Sequence, residues 1–153
     1  MGTRGYFGFY YKGTYYICYN HWGSYARGLG STLVGEIVKA MEDGLFSSWL
    51  TTLENRINKV DTDSEEISNE NSDEEAKEKR ETADGPSFMD FLTLNKSMDG
   101  FATKNPQWEQ FAYIINFDEE QFEFYVRRNI AMVHKLELET LKHLLATFRS
   151  CIN

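Results

Sequence analysis

Apolar residues recur along this chain with two periods, about two and about three and a half, and the polar stretches between them mark where one gives way to the other. Residues 6 to 11 and 14 to 19 are almost all Tyr, Phe or Ile, which fit a pleated, half-buried surface, and Lys12-Gly13 between them is a two-residue turn signal. The pattern predicts a β-hairpin. Alternation puts Tyr15, Ile17 and Tyr19 on one face and Tyr16, Cys18 and Asn20 on the other, so both faces are largely apolar and a cover is expected on each. Gly5 and Gly8 interrupt the first strand, which predicts a bulge or a close approach of another group to the backbone.

From Leu29 the period lengthens. Leu29, Leu33, Ile37 and Met41, with Val34 and Val38 beside them, outline one helical face, and Ser31 is a candidate N-cap. Asp43-Gly44 breaks the run before a second helical stripe of Leu45, Phe46, Trp49, Leu50, Leu53 and Ile57. Phe88, Phe91, Leu92 and Leu94 suggest a short packed segment, and Asp99-Gly100 and Asn105-Pro106 are turn signals. Residues 111 to 115 and 121 to 126 flank Asp118-Glu119-Glu120, a second hairpin with a longer loop. In its return strand Phe122, Phe124 and Val126 point one way and Gln121, Glu123 and Tyr125 the other, which predicts one wet face. Ile130, Met132 and Val133 add a short strand after Arg127-Arg128. The last helix runs from about Glu137, with Leu138, Leu141, Leu145 and Phe148 on one stripe.

The order of elements predicts a single α+β domain over residues 1 to 153. An antiparallel sheet is built from the two β-hairpins, with helices at 31 to 58 and 137 to 150 packed against it. A disordered acidic insert at 61 to 84 loops out. Composition changes the picture mainly there: the tract from Asp61 to Asp84 holds eleven acidic and three basic residues, which accounts for the whole formal net charge of −8. Ile67 is its only large apolar residue, so the tract cannot bury enough surface to offset its ordering entropy. The remainder of the chain is electrically neutral. Ser72, followed by Asp73-Glu74-Glu75, makes a regulatory tether the alternative to a solubilising spacer.

No stretch approaches the roughly twenty apolar residues of a membrane span, and no basic-then-apolar leader opens the chain. These features predict an intracellular protein, cytoplasmic or nuclear, with no membrane contact. Two cysteines, Cys18 and Cys151, are too few for a disulfide framework. His21, His134 and His143 lack the short spacing of a zinc site, so neither metal nor cofactor is expected. Nucleic acid is disfavoured, because its affinity rests largely on phosphate neutralisation and there is no basic run. Arg4-Gly5-Tyr6-Phe7-Gly8-Phe9 superficially matches an RNA-binding signature, but the inserted Phe7 moves the later residues to the opposite strand face. An N-terminal nucleophile would need Cys, Ser or Thr as the first residue, whereas Gly2 follows Met1.

The richest chemistry follows the first hairpin. Asn20, His21, Ser24 and Tyr25 donate and accept hydrogen bonds, Trp22 offers a flat apolar surface, and Arg4 opens the neighbouring strand, where hairpin pairing brings it near residues 20 to 22. Such a corner suits a protein or small-molecule ligand, with Arg4, Asn20, His21, Trp22, Ser24 and Tyr25 as its binding residues. Alternatively, Asn20 and His21 tie down the loop by bonding its backbone. The leading expectation is a non-enzymatic binding module with no catalytic residue. The alternative is a small hydrolase or transferase with His21 as acid/base and Cys18 as the candidate nucleophile, although an extended strand would point those two to opposite faces.

The run Arg4-Gly5-Tyr6, then Tyr19-Asn20-His21-Trp22, Ser24-Tyr25 and Gly28-Leu29-Gly30, resembles a family of uncharacterised proteins from fungi and other microbial eukaryotes. That family's pattern is R-G-aromatic, then Y-N-H-W-D-S-Y-P-x-G-L-G. The likeness extends to Trp49-Leu50 and the second hairpin, about three quarters of the chain. Gly23 stands where the family has Asp, and Ala26 where it has Pro. With no established activity in the family, the resemblance implies a shared fold and a shared loop, and any role of that Asp would be missing here.

Overall fold

The computed structural model describes residues 3–58, 86–94, 96–108 and 110–151; the acidic tract at 61 to 84 lies outside them. Six strands form one sheet: β1 (Gly5–Tyr11), β2 (Thr14–Asn20), β3 (Ala102–Thr103), β4 (Phe111–Asn116), β5 (Gln121–Val126) and β6 (Asn129–Lys135). Four helices accompany it: α1 (Ser31–Glu42), α2 (Ser47–Asn58), α3 (Phe88–Leu92) and α4 (Leu138–Arg149). The molecule is therefore α+β, with a mostly antiparallel sheet built on two hairpins and extended at its edges by β3 and β6.

The first hairpin turns at Lys12 and Gly13, with φ of 51° and 80°, the left-handed pair that matches strand twist. Its tip is tied to the second hairpin, because the Asp118 carboxylate accepts from Lys12 N at 2.8 Å and Gly13 N at 3.2 Å. Across the sheet the order is β3-β2-β1-β4-β5-β6, and the junction between hairpins is the parallel pair β1 and β4. Parallel strands begin at the same end, so the chain entering β4 lies beside the chain entering β1. The bulge offered for Gly5 and Gly8 gives way to the other reading: β1 pairs with β2 in unbroken register. A Cβ on Gly8 would lie 2.0 Å from Tyr16 O, and one on Gly5 would lie 2.7 Å from Ser24 Cβ.

One face of the sheet carries the main core. Phe7, Phe9, Tyr113, Ile115 and Phe122 are fully buried against Leu33 and Ile37 of α1, Trp49 and Leu53 of α2, Phe88 and Phe91 of α3, and Phe148 of α4. Phe9 stacks on Phe91 at 5.9 Å, and Phe7 meets Phe88 edge-on at 5.7 Å. The five residues of α3 are too few to hold a helix alone. Ser87 is its N-cap, with Oγ accepting from Asp90 N at 3.1 Å, and neighbouring helices add to that. Glu36 of α1 accepts from Ser87 Oγ at 2.7 Å, Phe88 N at 2.7 Å and Met89 N at 2.9 Å. At the other end Arg56 of α2 donates to Phe91 O at 2.9 Å and Leu92 O at 3.1 Å.

Three expectations need correction. Ser31 is not an N-cap: a π-helical turn at Ala26–Gly30 runs straight into α1, and Ser31 Oγ donates back to Arg27 O at 2.6 Å. The cover expected on each face of the hairpin is unequal: among the described residues helices pack on one face alone. Its second face packs only a smaller cluster, in which Trp108, Ala112 and Ile114 are buried among half-buried Tyr6, Tyr10, Tyr15, Ile17 and Tyr125. Nor is the polar face of β5 wet throughout. Glu123 is 4% exposed, and its carboxylate accepts from Asn116 Nδ2 at 2.9 Å, Gln121 Nε2 at 2.7 Å and the Tyr125 hydroxyl at 2.8 Å. Burial, reinforced by the hydrogen bond to that carboxylate, pushes the Tyr125 phenol well above its ordinary range.

Candidate functional site

β2 ends at Asn20, which pairs with Gly5 across the hairpin, so the loop from His21 to Tyr25 leaves the sheet beside Arg4. Polar residues in this loop form a closed circuit. Asn20 Nδ2 donates to Trp22 O and to Ser24 Oγ, both at 2.7 Å, and Ser24 Oγ donates to Asn20 O at 3.3 Å. Ser24 N donates to Thr3 O at 3.2 Å, and Leu29 N to Gly23 O at 2.9 Å. From the sheet, the Tyr113 hydroxyl donates to Ser24 O at 2.7 Å. Burial raises the Tyr113 phenol far above its normal range, so it remains a donor. Gly23 has φ of 63°, a left-handed turn that glycine makes without steric cost.

The loop thereby presents its two rings outward. His21 Nδ1 lies 2.7 Å from the Tyr19 hydroxyl, and the imidazole meets Trp22 edge to face at 4.7 Å. Trp22 is 57% exposed. Tyr6 and Tyr19, cross-strand partners 5.4 Å apart, continue the series toward the sheet, and Tyr19 is 5.8 Å from His21. A cleft of about 90 Å³ opens at the sheet end of this ladder, lined by Arg4, Gly5, Tyr6, Tyr19 and Gln107.

The predicted residues therefore divide. Arg4 lines the cleft, and His21 and Trp22 extend from it. Asn20 and the fully buried Ser24 hold the loop together. Tyr25 starts the π-helical turn, its carbonyl accepting from Gly28 N at 2.9 Å. Cys18 is buried on the helix side of the sheet, so the fold does not bring it to His21. The periodic pattern gave no sign of Gln107, Gln110 or Tyr113. Their role depends on β4 lying parallel to β1, which sets them at the Arg4 end. The only earlier signal was the polar-aromatic run 107 to 110 preceding a strand.

A larger groove of about 590 Å³ lies between α1 and α2, with Gly35, Lys39, Leu45, Trp49 and Met89 among its walls. Its charged groups are already engaged: Glu36 caps α3, and Lys39 pairs with Asp43 at 3.3 Å. Among the described residues no three His, Cys, Asp or Glu side chains gather as a metal site, and no helix is long and apolar enough to cross a membrane. Compared with models of known families, with curated proteins and with solved structures, the chain matches none.

Proposed function

We propose that the chain is a non-enzymatic, intracellular binding module whose contact surface is the corner formed by Arg4, the Tyr6–Tyr19–His21–Trp22 ring ladder and the loop behind it. Membership of the fungal and microbial-eukaryote family that its loop motif resembles belongs to the same proposal. One observation carries the reading: a network of hydrogen bonds and a left-handed glycine stiffen residues 20 to 25, yet they hold a Trp 57% exposed. An indole is the side chain that gives most on capture, and a fixed loop loses little entropy when it binds. A protein or small molecule fits this surface better than a nucleic acid, since among the described residues Arg4 is the one cation lining its cleft. His21 as the acid/base of a small hydrolase or transferase gains the Tyr19 phenol as an orienting partner. It gains no nucleophile, because Cys18 faces the helices and the Ser24 hydroxyl is engaged within the loop.

A fragment panel of neutral, cationic and anionic compounds, read by amide and indole NMR shifts, tests the proposal. Shifts gathering at Tyr6, Tyr19, His21 and Trp22, and lost in Trp22→Ala, are expected. Shifts gathering in the groove between α1 and α2 would overturn it. Ester turnover by the wild type that disappears in His21→Ala would replace it with the enzymatic reading.

A further inference from the structure

The cleft beside Arg4 is small and one-sided in its chemistry. Among the described residues its walls offer a guanidinium, two phenols and a carboxamide, and no carboxylate. Arg4 is held from both directions along the backbone: its own N donates to Gln110 Oε1 at 2.6 Å, and the preceding Thr3 O accepts from Ser24 N at 3.2 Å. Its main chain is thus anchored beside the cleft, while the guanidinium, on an exposed side chain, pairs with no carboxylate among the described residues. A guanidinium beside other donors is a fork for a planar oxyanion, which it can meet with two parallel hydrogen bonds. At about 90 Å³ the cleft has room for one carboxylate. The body that bears it has a path outward. Tyr6, Tyr19, His21 and Trp22 succeed one another at 5.4, 5.8 and 4.7 Å between centroids, from the cleft wall to the exposed indole.

Resting on the corner as the contact surface, we infer that this site takes an aromatic carboxylate, with the anion in the Arg4–Gln107 cleft and the ring against His21 and Trp22. Two sources share that chemistry, a free aromatic acid and a peptide ending in an aromatic residue. The neutral portion of the ladder supplies contact area, and the cleft supplies discrimination between an acid and its uncharged analogues.

The test is an NMR titration with four probes: 3-phenylpropionate, its primary amide, N-acetyl-glycyl-phenylalanine as the free acid, and that peptide's amide. Both acids should move the Arg4 Nε, Gln107 side-chain amide and Trp22 indole resonances, and each amide should bind about tenfold more weakly, the scale of a charge-assisted pair. Arg4→Gln should erase the preference for acid over amide. Arg4→Lys, which keeps the charge without the fork, should restore part of it. Trp22→Ala should weaken acid and amide alike. A clear advantage of the peptide acid over 3-phenylpropionate assigns the peptide source, and the reverse assigns the free acid. Acid and amide binding equally at the corner would sink the carboxylate inference and leave the corner as the contact surface. An acid preference that survives in Arg4→Gln, or no movement of the cleft resonances at millimolar probe, would sink it as well. Binding of all four probes in the helical groove would remove both readings together.

Discussion

The two faces of the sheet solve the same problem with different side chains. Toward the helices, β1, β4 and β5 contribute Phe7, Phe9, Tyr113, Ile115 and Phe122, all fully buried and packed ring against ring under α1 to α4. On the opposite face β4 contributes the buried Ala112 and Ile114, and β1, β2 and β5 contribute Tyr6, Tyr10, Tyr15, Ile17 and Tyr125, none fully buried, gathered with them around the inserted ring of Trp108. Trp108 meets Tyr15 edge-on at 5.4 Å and Tyr125 at 4.7 Å. Phenylalanine needs a second layer above it. Tyrosine does not, because its ring can cover a neighbour while its hydroxyl reaches water or a polar partner, as Tyr125 reaches Glu123. A sheet face rich in tyrosine can therefore remain one layer thick without being an unprotected apolar patch.

This contrast predicts unequal costs for equal truncations of adjacent residues in one strand. Phe9→Ala should lose about 3–5 kcal/mol, because the helices above cannot close over the cavity. Tyr10→Ala, one residue further along on the open face, should lose only about 1 kcal/mol, since much of its surface is already in water. Urea denaturation of the two variants measures both. Equal losses would mean that the open face is as tightly covered as the other.

The hairpins, the Lys12-Gly13 turn, the break at Asp43-Gly44 and the final helix were legible because each is written in a local period or a local turn. Tyrosine misled the reading of the second face: counted simply as apolar, Tyr15 and Tyr19 called for a cover that their hydroxyls make unnecessary. Two other features are non-local. The parallel pairing of β1 with β4 joins segments about a hundred residues apart, and no local pattern fixes that register. The Arg4 corner was accordingly half visible: the hairpin places Arg4 beside residues 20 to 22, whereas Gln107, Gln110 and Tyr113 arrive only through β4. Glu123 likewise alternates as a wet residue should, and only its neighbours Asn116, Gln121 and Tyr125 make its burial tolerable.

Glu123 is a buried charged residue on the open face, beside the buried Ile114, so changing it sharpens the contrast. Its Oε2 receives two amide donors and its Oε1 the Tyr125 hydroxyl, a set matched to an acceptor-only carboxylate. In Glu123→Gln an NH2 group turned toward Asn116 and Gln121 meets two amide donors, and one turned toward Tyr125 is accommodated only if that hydroxyl changes from donor to acceptor. A loss of about 1–3 kcal/mol is expected, the cost of leaving buried groups unmatched. An unchanged thermal midpoint would show that water reaches this side chain and that the face has no interior of its own.

Alkaline titration compares the faces with the least perturbation. Tyr113 lies under the helices and Tyr125 on the open face, and both phenols are raised above the ordinary value of 10.0, by burial first and, for Tyr125, also by the Glu123 carboxylate. A raised acid keeps its proton in the folded state where the unfolded chain has already released its own. Stability from these groups is therefore fully present below pH 10.0 and falls as pH rises beyond it. Tyr113→Phe and Tyr125→Phe should each flatten that alkaline slope, measured from urea midpoints across the range. The effect should be larger for Tyr113, since solvent near the half-buried Tyr125 screens part of its penalty. Phenolate absorbance provides the independent check. If either residue ionises at its ordinary value before the protein unfolds, its face is open to water; if both resist until unfolding, the thin tyrosine layer seals as well as the helices do.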